Sequence, residues 1–380
     1  MYKNGILAII LSLMIALSFS GCVDNTAQTS GETVKTVEIV DLVGRTVEVP
    51  ENVEKIVCSG PGALRLVTYL QADDMLVGVE SCEQADITGA GKQYALAKPY
   101  TIANVDYFKT LPTIGTQFVD GLNCENIVNV NPDVIIISMS TAEVADNIQT
   151  KTGIPVVVLN YDEFESFTDK DLADPLTLLG NVLNKEERAQ AVIDFFADAE
   201  NDISDRISDV SDSEKPSVYV GGLNAAKGSH GIESTSSVFA PFEVLKAKNV
   251  AESLEAKKQV YINKEQLIEW NPDIIFIDIA GYTSVINEDY EKNPEYYESL
   301  SAFKNGDVYL IYRYKSYMVD YGTVLANTYY IGTVLYPEEF SDIDPEAKAD
   351  EIYEFLVGEA VYDKMAENFE GFKKLDISNQ

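Results

Sequence analysis

The chain has 380 residues, with 62 acidic against 28 basic side chains, a single histidine and a formal net charge of −34. That length suffices for two domains and a sizeable core. The charge argues against a nucleic-acid partner, which needs clustered Lys and Arg on its phosphates, and against loose adhesion to an anionic membrane surface; composition alone leaves solubility and salt adaptation both open as reasons for the acidity.

The chain begins "MYKNGILAIILSLMIALSFSGC", a lysine followed by an apolar run from Ile6 to Phe19. The run is short for a membrane span, which needs roughly 20 apolar residues, and fits a secretory signal peptide. Cys22 follows Ser20 and Gly21 and resembles the cysteine of a prokaryotic lipobox, with Phe19 where that motif usually has leucine. Residues 1–22 therefore read as a signal peptide ending at a lipidated Cys22, with an uncleaved N-terminal anchor as the alternative reading. Residues 23–36, small and polar, read as a flexible tether. The folded part is expected outside the cytoplasm, anchored to the membrane.

"VKTVEIVDLVGRTVEVP" alternates apolar and polar residues on both sides of Asp41 to Arg45, the pattern of a β-hairpin. "VEKIVCSG", "MLVGVES", "DVIIIS" and "IPVVVLN" are short apolar runs that suit strands buried on both faces. Helix-like segments at Ala63–Leu70 and Ala142–Thr150 lie between them, so residues 37–168 are expected to form an α/β lobe. From Leu172 to Val210 the strand signals stop, and Ala189, Ile193, Phe196, Ile203 and Ile207 recur at helical spacing. Residues 169–212 are accordingly expected to be a long linker helix, with Pro175 near its approach. "SVYVGGL", "DIIFIDI" and "DVYLIYR" then mark a second α/β lobe over 213–371, followed by a tail at 372–380.

One phrase occurs twice: "NCENIVNVNPDVIIIS" from Asn123 and "NKEQLIEWNPDIIFID" from Asn263. Each predicts a short helix, Asn-Pro-Asp and a buried strand at the corresponding place in its own lobe. The fold class is thus α/β, with two similar lobes of mainly parallel sheet joined by one long α-helix. A ligand cleft is expected between them, because ligands of such sheets sit outside the carboxyl ends of the strands.

"DLVGRTVEVPENVEKIV", then "PTIG" followed by the first copy of the repeat, then the second copy, form an ordered set. Over nearly the whole mature chain this set resembles substrate-binding lipoproteins of the iron-siderophore, haem and cobalamin class, which serve ABC importers. The resemblance implies that Glu125 and Glu265, one per lobe, dock to arginines of the importer's membrane subunits. Their position also fits an acidic residue in the first turn of a helix capped by Asn123 or Asn263, and the two roles are compatible. It further implies ligand contacts from the strand-end loops, among which Phe118, Asn224 and His230 are candidates. "YRYKSYMVDYG" packs Tyr312, Tyr314, Tyr317 and Tyr321 around Arg313 and Lys315. Phenol rings with a planar guanidinium suit a metal chelate with anionic edges; half-buried structural tyrosines are the alternative reading.

After Cys22, the cysteines Cys58, Cys82 and Cys124 cannot all pair within the chain. Small buried residues, a Cys58–Cys82 disulfide and a soft-metal thiolate site remain open for them. "GAGK" at residues 89–92 lacks the flanking residues of a P-loop, and no zinc-ligand or nucleophile motif is present. The expected protein is a monomeric, non-enzymatic binding protein without a resident cofactor. It would capture a ferric siderophore-type chelate and deliver it to the importer's permease subunits, with cobalamin or haem as alternative ligands. A surface-anchored chelate-processing enzyme, or a binding module without a transporter, are the readings from other classes.

Overall fold

The structure, a computed structural model, describes residues 35–87, 97–161, 164–223, 231–254 and 259–376. Strands β1 (Thr36–Val40) and β2 (Thr46–Pro50) form the expected antiparallel hairpin. Its turn is closed by Asp41, whose Oδ1 accepts the Val43 and Arg45 amides and whose Oδ2 pairs with Arg45 Nη1 at 2.9 Å. Arg45 also donates to the Val156 carbonyl, which ties the hairpin to the first lobe.

That lobe is a five-stranded parallel sheet made of β3 (Ile56–Ser59), β4 (Leu76–Glu80), β5 (Thr113–Gly115), β6 (Val134–Ile137) and β7 (Val156–Val158), in the order β5-β4-β3-β6-β7. Helices α1 (Ala63–Tyr69), α2 (Pro99–Phe108), α3 (Cys124–Val130) and α4 (Ala142–Thr152) belong to the same lobe. Every residue of β3, β6 and β7 is buried. This explains runs such as Val-Ile-Ile-Ile: a strand covered on both faces has no solvent side on which to place polar residues.

The linker differs from the single helix expected. It comprises α5 (Lys170–Leu183), which contains Pro175, and the 21-residue α6 (Glu186–Arg206). Asn184 adopts a left-handed conformation (φ 54°) between them and ends α5. Asparagine tolerates that region, so a helical period alone does not reveal the break. The apolar stripe itself is present, with Ala189, Val192, Phe196 and Ile203 buried along α6.

The second lobe contains β8 (Ser217–Gly221), β9 (Ser234–Ser236), β10 (Lys248–Asn249), β11 (Gln259–Tyr261), β12 (Ile274–Asp278), β13 (Val308–Ile311) and β14 (Lys373–Lys374). Its main sheet runs β10-β8-β12-β13-β14, while β9 and β11 form a separate antiparallel pair. Its helices are α7 (Ala240–Val244), α8 (Lys264–Trp270), α9 (Pro294–Tyr297), α10 (Ser301–Asn305), α11 (Tyr321–Leu335), α12 (Pro345–Val357) and α13 (Tyr362–Phe369). The expected boundary at 371 moves outward: β14 pairs antiparallel with β13, and Phe372 and Leu375 are buried.

Apart from the edge strand β5, which lies between β4 and β6 in the chain, the first lobe's parallel strands follow the same spatial order as those of the second, β4-β3-β6-β7 against β10-β8-β12-β13. The repeated sequence is the same device in each. Asn123 and Asn263 accept the Asn126 and Gln266 amides through their side chains and so cap α3 and α8. Asn131 and Asn271 end those helices in left-handed conformations. Asp133 Oδ2 then accepts the Glu54 and Lys55 amides ahead of β3, and Asp273 Oδ2 accepts the amide and hydroxyl of Ser217 at the head of β8. Asn-Pro-Asp is therefore a helix stop followed by a clamp between neighbouring strands.

Candidate functional site

In each lobe the strand order reverses beside the first strand, and the loops leaving the two central strands must separate there. Glycine lets them pass. A Cβ on Gly60 (φ 91°) would lie 2.6 Å from the Ser138 carbonyl oxygen, and one on Gly281 would lie 2.3 Å from the Gly222 carbonyl oxygen. The carboxyl ends of β3 and β6, and of β8 and β12, are thus held in backbone contact. Such switch points are where open α/β sheets bind ligands.

The tyrosine-rich loop after β13 divides into parts with different surroundings. Tyr312 is 1% exposed; its hydroxyl donates to the Glu370 carbonyl at 2.8 Å and its ring packs on Tyr362 and Phe372. It is part of the second-lobe core, and the structure does not bring it to the ligand face expected for it. Arg313 and Tyr314, with Lys315, line a narrow cleft of about 60 Å³ together with Leu223, Ser236, Phe239, Gln259 and Asp278. Arg313 Nε donates to the Lys315 carbonyl at 2.8 Å, which folds the guanidinium back over its own loop. Burial pushes the Asp278 carboxyl up to about 6, opposed by the nearby Arg313 and by the Ala280 amide that it accepts. Larger hollows of about 390 and 600 Å³ lie beside α6 and β14, away from the carboxyl ends of the parallel strands. The first is crossed by the Arg206–Asp342 ion pair, so size alone does not mark a binding site here.

Tyr317 crosses to the first lobe. Its hydroxyl donates to Glu80 Oε2 at 2.6 Å and accepts the Phe118 amide at 3.0 Å, and its ring meets Phe118 edge-on at 5.3 Å. The structure therefore brings together two residues nearly 200 positions apart that the sequence offered separately. Both carry positive φ, 63° at Phe118 and 54° at Tyr317, as does Met318 at 75°. Bulky residues are held there only where surrounding contacts over-determine the backbone, and such strain clusters at functional sites. Phe118 and Met139 remain 49% and 62% exposed, forming apolar points at the ends of the strands.

The loop is gripped from behind by Arg65 on α1, a residue with no exposed surface. Nη1 donates to the Val319 carbonyl at 2.8 Å and Nη2 to the Ser316 carbonyl at 2.9 Å, while Nε lies 3.0 Å from Asp320 Oδ2. Burial alone would favour the neutral form, but Asp320 opposes it and Arg65 is held firmly cationic. Tyr69 completes the joint by donating to Asp320 Oδ1 and accepting the Gly322 amide.

Glu80, Cys82 and Glu83 offer ligand atoms within 4.8 Å of one another, the spacing of a possible cation site. Their donors are already committed. Glu83 accepts from Lys98 Nζ at 2.7 Å, from Tyr100 and from Thr101. Despite its burial, these donors, Lys98 foremost, hold its carboxyl below the usual range. Glu80 accepts from Ser59 and Gly60 as well as Tyr317, yet burial outweighs these and raises its carboxyl. Burial and the two carboxylates push the Cys82 thiol up to about 12. Cys58, Cys82 and Cys124 are all free thiols, without the disulfide considered for the first two.

Asn224, His230 and Cys22 lie outside the described residues. Glu125 and Glu265 are both exposed in the first turn of their helices. Arg65, Glu80, Lys98, Asp278 and Asp320 were not picked out from sequence. Asp278 and Glu80 had a usable signal, an acidic residue closing an otherwise apolar strand. Arg65, inside "GALRLV", had none, since its partner is 255 positions away.

Residues 56–314 match the periplasmic binding protein family. The chain is 24% identical over 362 residues to the molybdate-binding protein MolA of Haemophilus influenzae, covering 91% of this chain and 94% of that one. Among solved structures it resembles a periplasmic solute-binding protein from Veillonella parvula (TM-score 0.67, 20% identity, 88% of this chain and 97% of that one). It also resembles the TroA-like periplasmic binding protein FepB of the same organism (TM-score 0.63, 23% identity, 85% and 97%). No described helix is long and apolar enough to cross a membrane. With its paired lobes, the chain belongs to the periplasmic binding proteins, the extracytoplasmic solute-binding components of ABC importers.

Proposed function

We propose that the protein captures an anionic metal species at the strand ends of its second lobe and delivers it to an importer that Glu125 and Glu265 engage. The observation that carries this reading is local charge. In a chain of net charge −34, Arg313 and Lys315 line the same cleft at the carboxyl end of β13. A guanidinium fork beside an ammonium group is suited to planar anionic oxygens. A ferric siderophore-type chelate is the first candidate. Exposed Phe118 and Met139 supply apolar surface that a chelate's organic faces would cover, and Asn224 and His230 are further candidate contacts. Cys22 would carry the lipid that holds the protein at the membrane, and the protein would work as a monomer without catalysis.

A molybdate-type oxyanion is the second reading. The small cleft favours it, as does the likeness to MolA along nearly the whole chain.

The deciding experiment is calorimetric titration of the full chain in mild detergent with ferric catecholate and hydroxamate siderophores, haem, cobalamin and molybdate. Saturable binding of one anionic metal species, weakened at least about tenfold by Arg313→Ala, is the expected result. Equal binding by wild type and the Arg313→Ala, Lys315→Ala double variant would remove the cleft from the site. Binding of cobalamin alone would remove the anion requirement.

A further inference from the structure

The two copies of the repeat share a surface feature that capping does not explain. In α3, Glu125 and Val128 are exposed around buried Ile127; in α8, Glu265 and Ile268 are exposed around buried Leu267. Val128 is 45% exposed and Ile268 44%. Residues three apart on a helix are neighbours on one face, so each glutamate stands beside an exposed aliphatic side chain. One exposed aliphatic residue is ordinary on a protein surface. Here the same exposure recurs at the same register in both lobes, although neighbouring positions have diverged: Asn129 faces Glu269 in the comparison, and Val130 faces Trp270. Among the described residues four other large apolar side chains are at least this exposed, Phe118 and Met139 in loops and Val40 and Tyr261 on strands, and none of them recurs at a matching place in the other lobe.

We infer that Glu125 with Val128, and Glu265 with Ile268, form two matching docking pads, each an anionic side chain beside an aliphatic one. The inference rests on the docking role proposed above and extends it to the nature of the partner surface. The occupant is the membrane-subunit pair of the importer. A protein that carries the same pad twice fits a partner that presents the same feature twice, as two like subunits do. Each half of that partner would offer a guanidinium or ammonium group next to an apolar hollow. Charge complementarity with this acidic chain requires the cation. The hollow follows from Val128 and Ile268, because a purely ionic contact would gain nothing from leaving an aliphatic side chain in water at both positions. The division of labour is physical. Rim charges act mainly on encounter and its salt dependence, whereas burial of an apolar side chain slows dissociation.

The test immobilises the importer's membrane subunits and measures binding of the full chain in detergent, with thermal unfolding as the check on folding. Val128→Ser and Ile268→Ser are each expected to raise Kd about tenfold, chiefly by faster dissociation and with the salt dependence unchanged. Glu125→Gln and Glu265→Gln are expected to slow association and flatten the salt dependence. Wild-type binding by both serine variants, alongside weakened binding by the glutamine variants, would overturn the two-part pad and leave glutamate docking standing. Wild-type binding by all four variants would overturn both readings. A dimer of the chain abolished by the serine variants, with importer binding intact, would assign the aliphatic pair to a second copy instead.

Discussion

The two lobes share one repeated unit but differ in chemistry at the carboxyl ends of other strands, β4 in the first and β13 in the second. From helix cap to strand clamp, Asn123 to Asp133 and Asn263 to Asp273 make corresponding hydrogen bonds. At the strand ends the likeness stops. The first lobe presents Glu80 and a Glu83–Lys98 pair whose charges are buried and mutually satisfied. The second presents Arg313 and Lys315 on a cleft beside Asp278. Backbone geometry is what a duplicated fold must keep, while side chains past the last strand residue carry no sheet bonds and are free to diverge. On the function proposed above, the shared helices would meet a partner twice and the unlike strand ends a ligand once.

The sharpest way to break this contrast is to loosen the joint that sets the two lobes against each other. Arg65→Ala leaves Asp320 buried without its cation and frees the Ser316 and Val319 carbonyls. It should cost about 3–5 kcal/mol in denaturant-unfolding stability, and a loss below 1 kcal/mol would mean that the joint is dispensable. Tyr317→Phe removes the hydroxyl that joins Glu80 to the Phe118 amide. A cost of about 1–3 kcal/mol is expected from the polar groups left unpaired. Glu80→Gln should reproduce part of it, and Tyr317→Phe in that background should cost less than in wild type.

The second-lobe cleft is probed by pH. The Asp278 carboxyl, pushed up to about 6, keeps a proton in the folded protein over a range where the unfolded chain has released it. Stability from this group is therefore present at low pH and falls as pH rises from the ordinary carboxylate range through about 6, by at most about 1.4 kcal/mol per pH unit. Asp278→Asn should remove that slope. For an anionic ligand the same proton cancels a negative charge beside Arg313, so affinity should rise as pH falls from 7.5 to 5.5 in wild type and stay flat in the variant. A slope that survives the substitution would assign the titration to another group. The smallest effect tests the likeness of the lobes. Asn123→Ala and Asn263→Ala should each cost about 1 kcal/mol, nearly equally and additively; unequal costs would mean that the two copies are no longer energetic equivalents.

Read alone, the amino-acid order already determined the hairpin, the run of buried strands, both copies of the repeat and the exposed positions of Glu125 and Glu265. These are local matters. Period, capping residues and turn residues act within a few positions, where sequence neighbours are also spatial neighbours. The split of the linker at Asn184 escaped because a left-handed asparagine inside a helical period leaves no pattern. Tertiary structure decided which tyrosines of "YRYKSYMVDYG" serve which purpose: Tyr312 joined the core through Glu370, Tyr314 lined the cleft, and Tyr317 bridged to Glu80. It also made Arg65 the anchor of that loop. Such roles depend on which groups meet across the chain, from 58 residues for Tyr312 and Glu370 to more than 200 for Tyr317 and Glu80. Only packing brings those partners into contact, and no local propensity records it.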